Sequence, residues 1–191
     1  MSADPFYLNR PVHLARRDVF YGKAAEHIRR LPSLKEPAEQ RQIAEQALYL
    51  LRESRRHAEA ANLSDRTSAQ SILFVNLLDS AVDNTQSIAR MLRRQMEVST
   101  PESPLDRFLG STDTGSRMNR HYRRCAELVL KGLLHILSEA ETPIHRVQQA
   151  SLSKMSLTDK ARYEKASIQF NELANGEAEA VIGPAFEPND V

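Results

Sequence analysis

The stretch from Asp65 to about Glu97 constrains the chain most. Phe74, Leu77, Leu78, Ala81, Val82, Ile88, Ala89, Leu92 and Met96 fall on one broad face at about 100° per residue. Asn76, Asp79, Asp83, Ser87, Arg90 and Arg94 make the opposite stripe. A helix with one apolar face must bury that face against other elements. The rest of the chain is therefore read for partners of the same kind.

Such partners recur on both sides. Phe20, Ala24, Ile28 and Leu31 predict a helix from about Leu14 to Leu31, broken by Pro32 and Pro37. Ile43, Ala47, Leu50, Leu51, Ala58 and Ala61 predict a second, from Pro37 to about Ala61. After the long third helix, 98–116 is rich in Pro, Gly, Ser and Thr and reads as a long loop. A fourth helix spans about Ser116 to Glu141 and stops at Pro143, with a short amphipathic piece from Ile144 to Leu152 beyond it. Ser156 or Thr158 caps a fifth, which runs to about Asn175 with Gly176 just past its end. Its expected core face is Tyr163, Ala166, Phe170, Leu173 and Ala174.

The fold class expected is all-α, an antiparallel four- to five-helix bundle. An irregular N-terminal arm, 1–13, precedes a single helical domain, 14–176, and an acidic, proline-containing tail, 177–191, follows it. The composition agrees: only 6 glycines and no tryptophan in 191 residues favour helix over sheet. A net charge of +1 means that any attraction to polyanions must come from local patches. One cysteine, Cys125, excludes an intramolecular disulfide and a cysteine-rich zinc site. Apolar runs such as Ile72 to Val75 fall far short of the roughly 20 residues a membrane span needs. A cytoplasmic, soluble protein without a membrane role is expected.

One patch stands out. The segment from Arg117 to Leu137 begins with a knot of cations and ends as hydrocarbon. Met118, Tyr122, Val129, Leu133, Ile136 and Ala140 share a face that reads as core. Arg117, Arg120, Arg124, Lys131 and His135 form a stripe on the far side, with Arg123 and His121 close by. Cations at a helix N-terminus oppose the helix dipole, by a few tenths of a kcal/mol each. Arginine suits phosphate or carboxylate because its planar fork donates two parallel bonds. A solvated helix face is the plainest account. The alternatives are an anion or nucleic-acid surface, and a protein-docking or intrachain ion-pair surface.

Charge is also segregated along the chain. Residues 1–35 carry net +4, residues 115–140 net +3, and residues 156–191 net −4. The acidic C-terminus can lie on the basic helix of its own molecule or bind a neighbour.

No catalytic or metal-binding motif is present. Glu-x-x-His, His-Glu-x-x-His, Cys-x-x-Cys and a phosphate-binding glycine loop are all missing. Three i,i+4 pairs come nearest: Glu53 with His57, Asp79 with Asp83, and His135 with Glu139. Each reads as solvated rather than as a site, although His57 borders a core face. No cofactor and no metal are expected.

The function expected is a non-enzymatic helical binding module for nucleic acid or another polyanion. Its surface would be Arg117, Arg120, Arg123, Arg124 and Lys131, joined by Arg16, Arg17, Arg29 and Arg30. Exposed aromatics near these segments would be able to stack bases. The alternative is a protein-interaction or assembly subunit using exposed helix faces and the acidic tail, with an acidic protein or a second copy as partner. An enzyme without a recognisable motif is a weaker third reading.

Overall fold

The computed structural model describes residues 10–62, 69–99 and 112–182. Among these, 96% are helical and none lies in a strand, so the fold is all-α. Five helices appear: α1 (Arg10–Arg30), α2 (Pro37–Asn62), α3 (Ala69–Ser99), α4 (Thr112–Ser153) and α5 (Leu157–Ile182). A single 3-10 turn, Leu31–Ser33, follows α1.

Consecutive helices α1 to α4 pack side by side, and α5 lies on α1 and, less extensively, α2. Ion pairs give the register. Arg16 meets Glu53 while Arg30 meets Glu39, so α1 and α2 run in opposite directions. Arg55 meets Asp79 while Arg93 meets Glu45, which sets α2 against α3 in the same way. Phe20, Ile28, Leu50, Leu51, Phe74, Leu78, Ile88, Leu133 and Leu137 make one continuous core. Phe20 meets Phe170 edge to face, and Tyr21 meets Phe74 likewise. None of the helices is long and apolar enough to cross a membrane.

The helices outrun several expected boundaries. α1 begins at Arg10, inside the stretch expected to be irregular, because Pro11 sits in the first turn, where its missing N–H is no loss. Expected residues 1–9 of the arm lie outside the described residues, as do 63–68, 183–191 of the tail, and 100–111 of the loop. α3 and α4 shorten that loop by continuing to Ser99 and starting at Thr112.

α4 does not stop before Pro143 but runs 42 residues through it. One proline removes one backbone hydrogen bond. Here the turns beyond it bury Ile144 and Val147, and that packing holds the helix together. α5 likewise passes Gly176, because Ala174 and Ala178 are both buried on either side of it. Its start is as expected: the Ser156 hydroxyl accepts from the Asp159 N–H at 3.1 Å and donates to its carboxylate at 2.8 Å.

Two faces are turned. The buried line of α4 is Ala126, Leu133, Leu137, Ile144 and Val147, about 40° around the helix from the expected face. Met118, expected in the core, is 40% exposed. Leu173 of α5 is 53% exposed, since α5 approaches α1 through Ala166, Ala174 and Ala178. These small residues let the backbones come close, and a leucine on that side would hold them apart.

The turned face of α4 separates two substitutions. Leu137→Ala should destabilise the protein by about 2–5 kcal/mol, the range for emptying a buried leucine site. Met118→Ala should change stability by no more than about 0.5 kcal/mol, as for an ordinary surface change. Urea unfolding followed by circular dichroism measures both. Equal losses at the two sites would place Met118 in the core.

Candidate binding surface at the start of α4

Helix α4 presents its cations outward because its apolar line faces α3. Arg117, Arg120, Arg123, Arg124 and Lys131 are all exposed. The four arginines, His121 and Glu127 line one shallow concavity in the surface. Among the described residues Glu127 is its only carboxylate, and it accepts from Arg123 Nε at 3.0 Å. Arg120 Nε donates to the Ser116 carbonyl at 3.4 Å, one turn back. Arg124 and Lys131 pair with no carboxylate among the described residues. Cys125 lies half-buried at the edge, its Sγ 3.7 Å from His121 Nε2.

Leu128 stands within the stripe and is 70% exposed. Further along, Leu73, Phe74 and Leu77 of α3 and Ile136, Ala140, Pro143, Ile144 and Val147 of α4 line a groove of about 390 Å³. His135 and Glu139 form its rim. This groove lies on a different side of α4 from the stripe, since Ile136 and Ala140 are about 120–180° around the helix from Arg124 and Lys131.

The four N-terminal arginines are placed elsewhere. Arg16 Nη2 donates to Glu177 at 2.6 Å and to Glu53 at 3.3 Å, and its guanidinium lies over Phe20 and Phe170. Arg17 is only 1% exposed, pairs with Asp18 at 2.7 Å and lies over Phe74. Arg29 faces Glu141 at 3.9 Å and Arg30 faces Glu39 at 3.6 Å. All four are engaged by carboxylates of their own chain. The nearby aromatics are also inside: Phe20 and Tyr21 are buried and Tyr122 is half-buried.

A second polar cluster lies between α1, α2 and α5, and most of it is silent in the sequence pattern. His13 and His57 are buried and stacked, with their Nδ1 atoms 2.8 Å apart. One Nδ1 must donate and the other accept, so the states of the two rings are coupled. Ser54 donates to the Arg17 carbonyl at 2.8 Å. Asp18 accepts from both Arg17 and the Tyr163 hydroxyl, the latter at 2.9 Å, and burial with that carboxylate pushes the Tyr163 pKa up. The Glu53–His57 spacing was the one visible signal; nothing in the sequence marks His13, 44 residues away.

Neither the histidine pair nor the other i,i+4 pairs gather into a metal centre. Asp79 accepts from Arg55, and Asp83 is exposed. Among the described residues no three His, Cys, Asp or Glu side chains converge to hold an ion.

Burial first, then Arg16, His13 and Arg56, depress the His57 pKa from 6.5 to about 3. The unfolded chain therefore binds a proton at His57 that the folded chain refuses. The contribution to stability is complete above about pH 6.5 and is lost as pH falls toward 3. Between pH 6.5 and 5 stability should fall with a slope of about one proton, on the order of 1 kcal/mol per pH unit. His57→Gln should flatten that slope by the same amount, measured by urea unfolding at successive pH values. An unchanged slope would show that the ring titrates alike in both states.

The chain matches no protein-family model, no curated protein and no solved structure.

Proposed function

We propose that this protein is a non-enzymatic helical binding module, its helices forming an antiparallel bundle that presents the start of α4 to an anionic partner. The observation that carries this reading is the concavity that Arg120, His121, Arg123 and Arg124 line together with Arg117, Glu127 being its only carboxylate among the described residues. A lone cysteine suits work in a reducing compartment such as the cytoplasm.

A carboxylate-rich protein segment suits this surface better than nucleic acid. Leu128, exposed inside the stripe, offers an apolar contact that a phosphate backbone does not use. Arg16 and Arg17, which would have widened the basic field, are occupied within the chain. The buried Phe20 and Tyr21 do not offer a stacking platform for bases. Arginine forks match carboxylates in bidentate geometry, which favours arginine over lysine at these positions.

The test compares labelled polyglutamate with duplex DNA and single-stranded RNA. Polyglutamate should bind, weaken steadily with salt, and lose most of its affinity in the Arg117→Ala, Arg120→Ala, Arg124→Ala triple variant. Tighter binding of nucleic acid, with a log–log salt slope of roughly −0.7 to −0.9 per phosphate, would install a nucleic-acid function instead. Binding of neither ligand at low salt, or equal binding by the triple variant, would remove the stripe as a functional surface.

A further inference from the structure

The α3–α4 pair has two sides. One closes on the α1–α2 turn, where Leu31, Leu34 and Pro37 meet Ile88, Leu92 and Ala126. The other carries the groove between Leu77 and Ile136, and no helix among the described residues packs against it. On α4 this open side is uncharged. Met118, Tyr122, Cys125, Val129, Gly132 and Ile136 fall within about a quarter-turn, and no charged residue between 118 and 136 shares that arc. None of the six is fully buried. On α3 the open side is the polar stripe, with Asp83, Ser87 and Arg90 at its middle. Asp83 and Arg90 are exposed and form no ion pair among the described residues.

We infer that this open side is an interface with a second copy of the chain. A two-fold axis runs across both helices, so that α3 lies antiparallel on α3 of the copy and α4 on α4. Charge sets the axis on α3. Placed between Gln86 and Ser87, it stands Asp83 of each copy opposite Arg90 of the other and brings Ser87 to its own twin. The same axis can be carried over to α4. Gly115 packs against the Val98 carbonyl, and counting back along the antiparallel pair brings Ser87 beside Ala126. The axis therefore crosses α4 next to Glu127. There the uncharged residues meet one another to within about one residue, roughly 1.5 Å along the helix. Met118 stands opposite Ile136, Cys125 opposite Val129, and the Tyr122 ring opposite Gly132, which has no side chain to obstruct it.

This side suits a copy of itself better than an unrelated helix. Covering it leaves no charge unmatched: Asp83 and Arg90 satisfy each other twice, Arg94 keeps Glu97 at 3.0 Å, and α4 adds none. Complementarity to itself under one axis is what an isologous dimer requires. The size is adequate too. About 26 residues of each helix overlap with the copy, roughly 40 Å in length. Two helices 8–10 Å apart make a face about 20 Å wide. The footprint, roughly 800 Å² per copy, is that of a stable interface of standard size. Arg117, Arg124 and Lys131 lie about a quarter-turn or more away on α4, so the inference does not rest on the reading of that stripe.

Sedimentation velocity of the full chain tests the interface. Wild-type protein should pass from monomer to dimer with rising concentration and form nothing larger. Asp83→Arg and Arg90→Asp should each weaken the dimer about ten-fold or more by setting like charges opposite. Both side chains are exposed, so circular dichroism should match wild type. The two changes combined in one chain should restore dimerisation, because each reversed residue then faces a reversed partner. The axis has its own test. In a Cys125→Ser chain, Ser87→Cys should form a disulfide with its twin on mild oxidation, while Lys131→Cys should not. A wild-type protein that stays monomeric at its highest soluble concentration overturns the inference. So does association that the single reversals leave intact, that the double reversal does not restore, or that grows beyond the dimer. A dimer that Ser87→Cys does not cross-link overturns the axis and the interface with it.

Discussion

The guanidinium of Arg16 fixes the arrangement of three helices. It belongs to α1, donates to Glu53 of α2 and Glu177 of α5, and lies over rings from α1 and α5. Arg16 is half-buried, and a charge partly withdrawn from water is stabilised by partners of opposite sign. Glu177 comes one residue after Gly176, so α5 must stay helical past that glycine to deliver it. The glycine's preference for ending a helix, a matter of roughly 1 kcal/mol, is outweighed by an ion pair, the Tyr49 hydroxyl and two buried alanines. The outer face of α5 follows from this. With Glu177 and Ala178 turned inward, Ile168, Glu172 and Glu179 have nowhere to point but out.

What was legible in the sequence is what one helix decides by itself. Phe74, Leu78, Ala81, Ile88 and Leu92 are buried on α3 as their spacing implies. The outward arginines of α4 were legible for the same reason. Illegible features depend on a second element. Pro143 reads as a stop until Ile144 and Val147 are seen buried beyond it. Arg17 reads as surface by residue type, yet Asp18, Phe74 and the surrounding helices enclose it. His13 and His57 acquire meaning only together, and no periodicity connects α1 to α2. The error on α4 was subtler. An apolar face wider than the contact leaves its exact centre to the neighbouring helix, and α3 chose Ala126, Leu133 and Leu137 rather than Met118 and Val129.

The near-zero net charge conceals two unequal populations of cations. Those of α1 are matched within the chain: Arg16 by Glu53 and Glu177, Arg17 by Asp18, Arg29 by Glu141, Arg30 by Glu39. Among the described residues, those of α4 have Glu127 as the one carboxylate lining their concavity. The acids of α5 divide in the same way, Glu177 inward and Glu172 and Glu179 outward. Among the described residues, Arg124 and Lys131 of α4 and Glu172 and Glu179 of α5 thus stand without an ion pair.

Energetics explains how a helix can keep its arginines at the wrong end. Because α4 begins at Thr112, these arginines lie in its second turn and beyond, so little of the roughly 0.3–1 kcal/mol cost of a cation at an exposed helix N-terminus reaches them, and solvent and salt reduce it further. Arg123 and Arg120 recover part of it through Glu127 and the Ser116 carbonyl. Emptying a single buried leucine site such as Leu133 or Leu137 costs about 2–5 kcal/mol, so the core outweighs the whole stripe. Stability thus places little pressure on these positions in either direction. The arginines do not hold the fold together and do not endanger it, and their arrangement bears instead on what meets the surface.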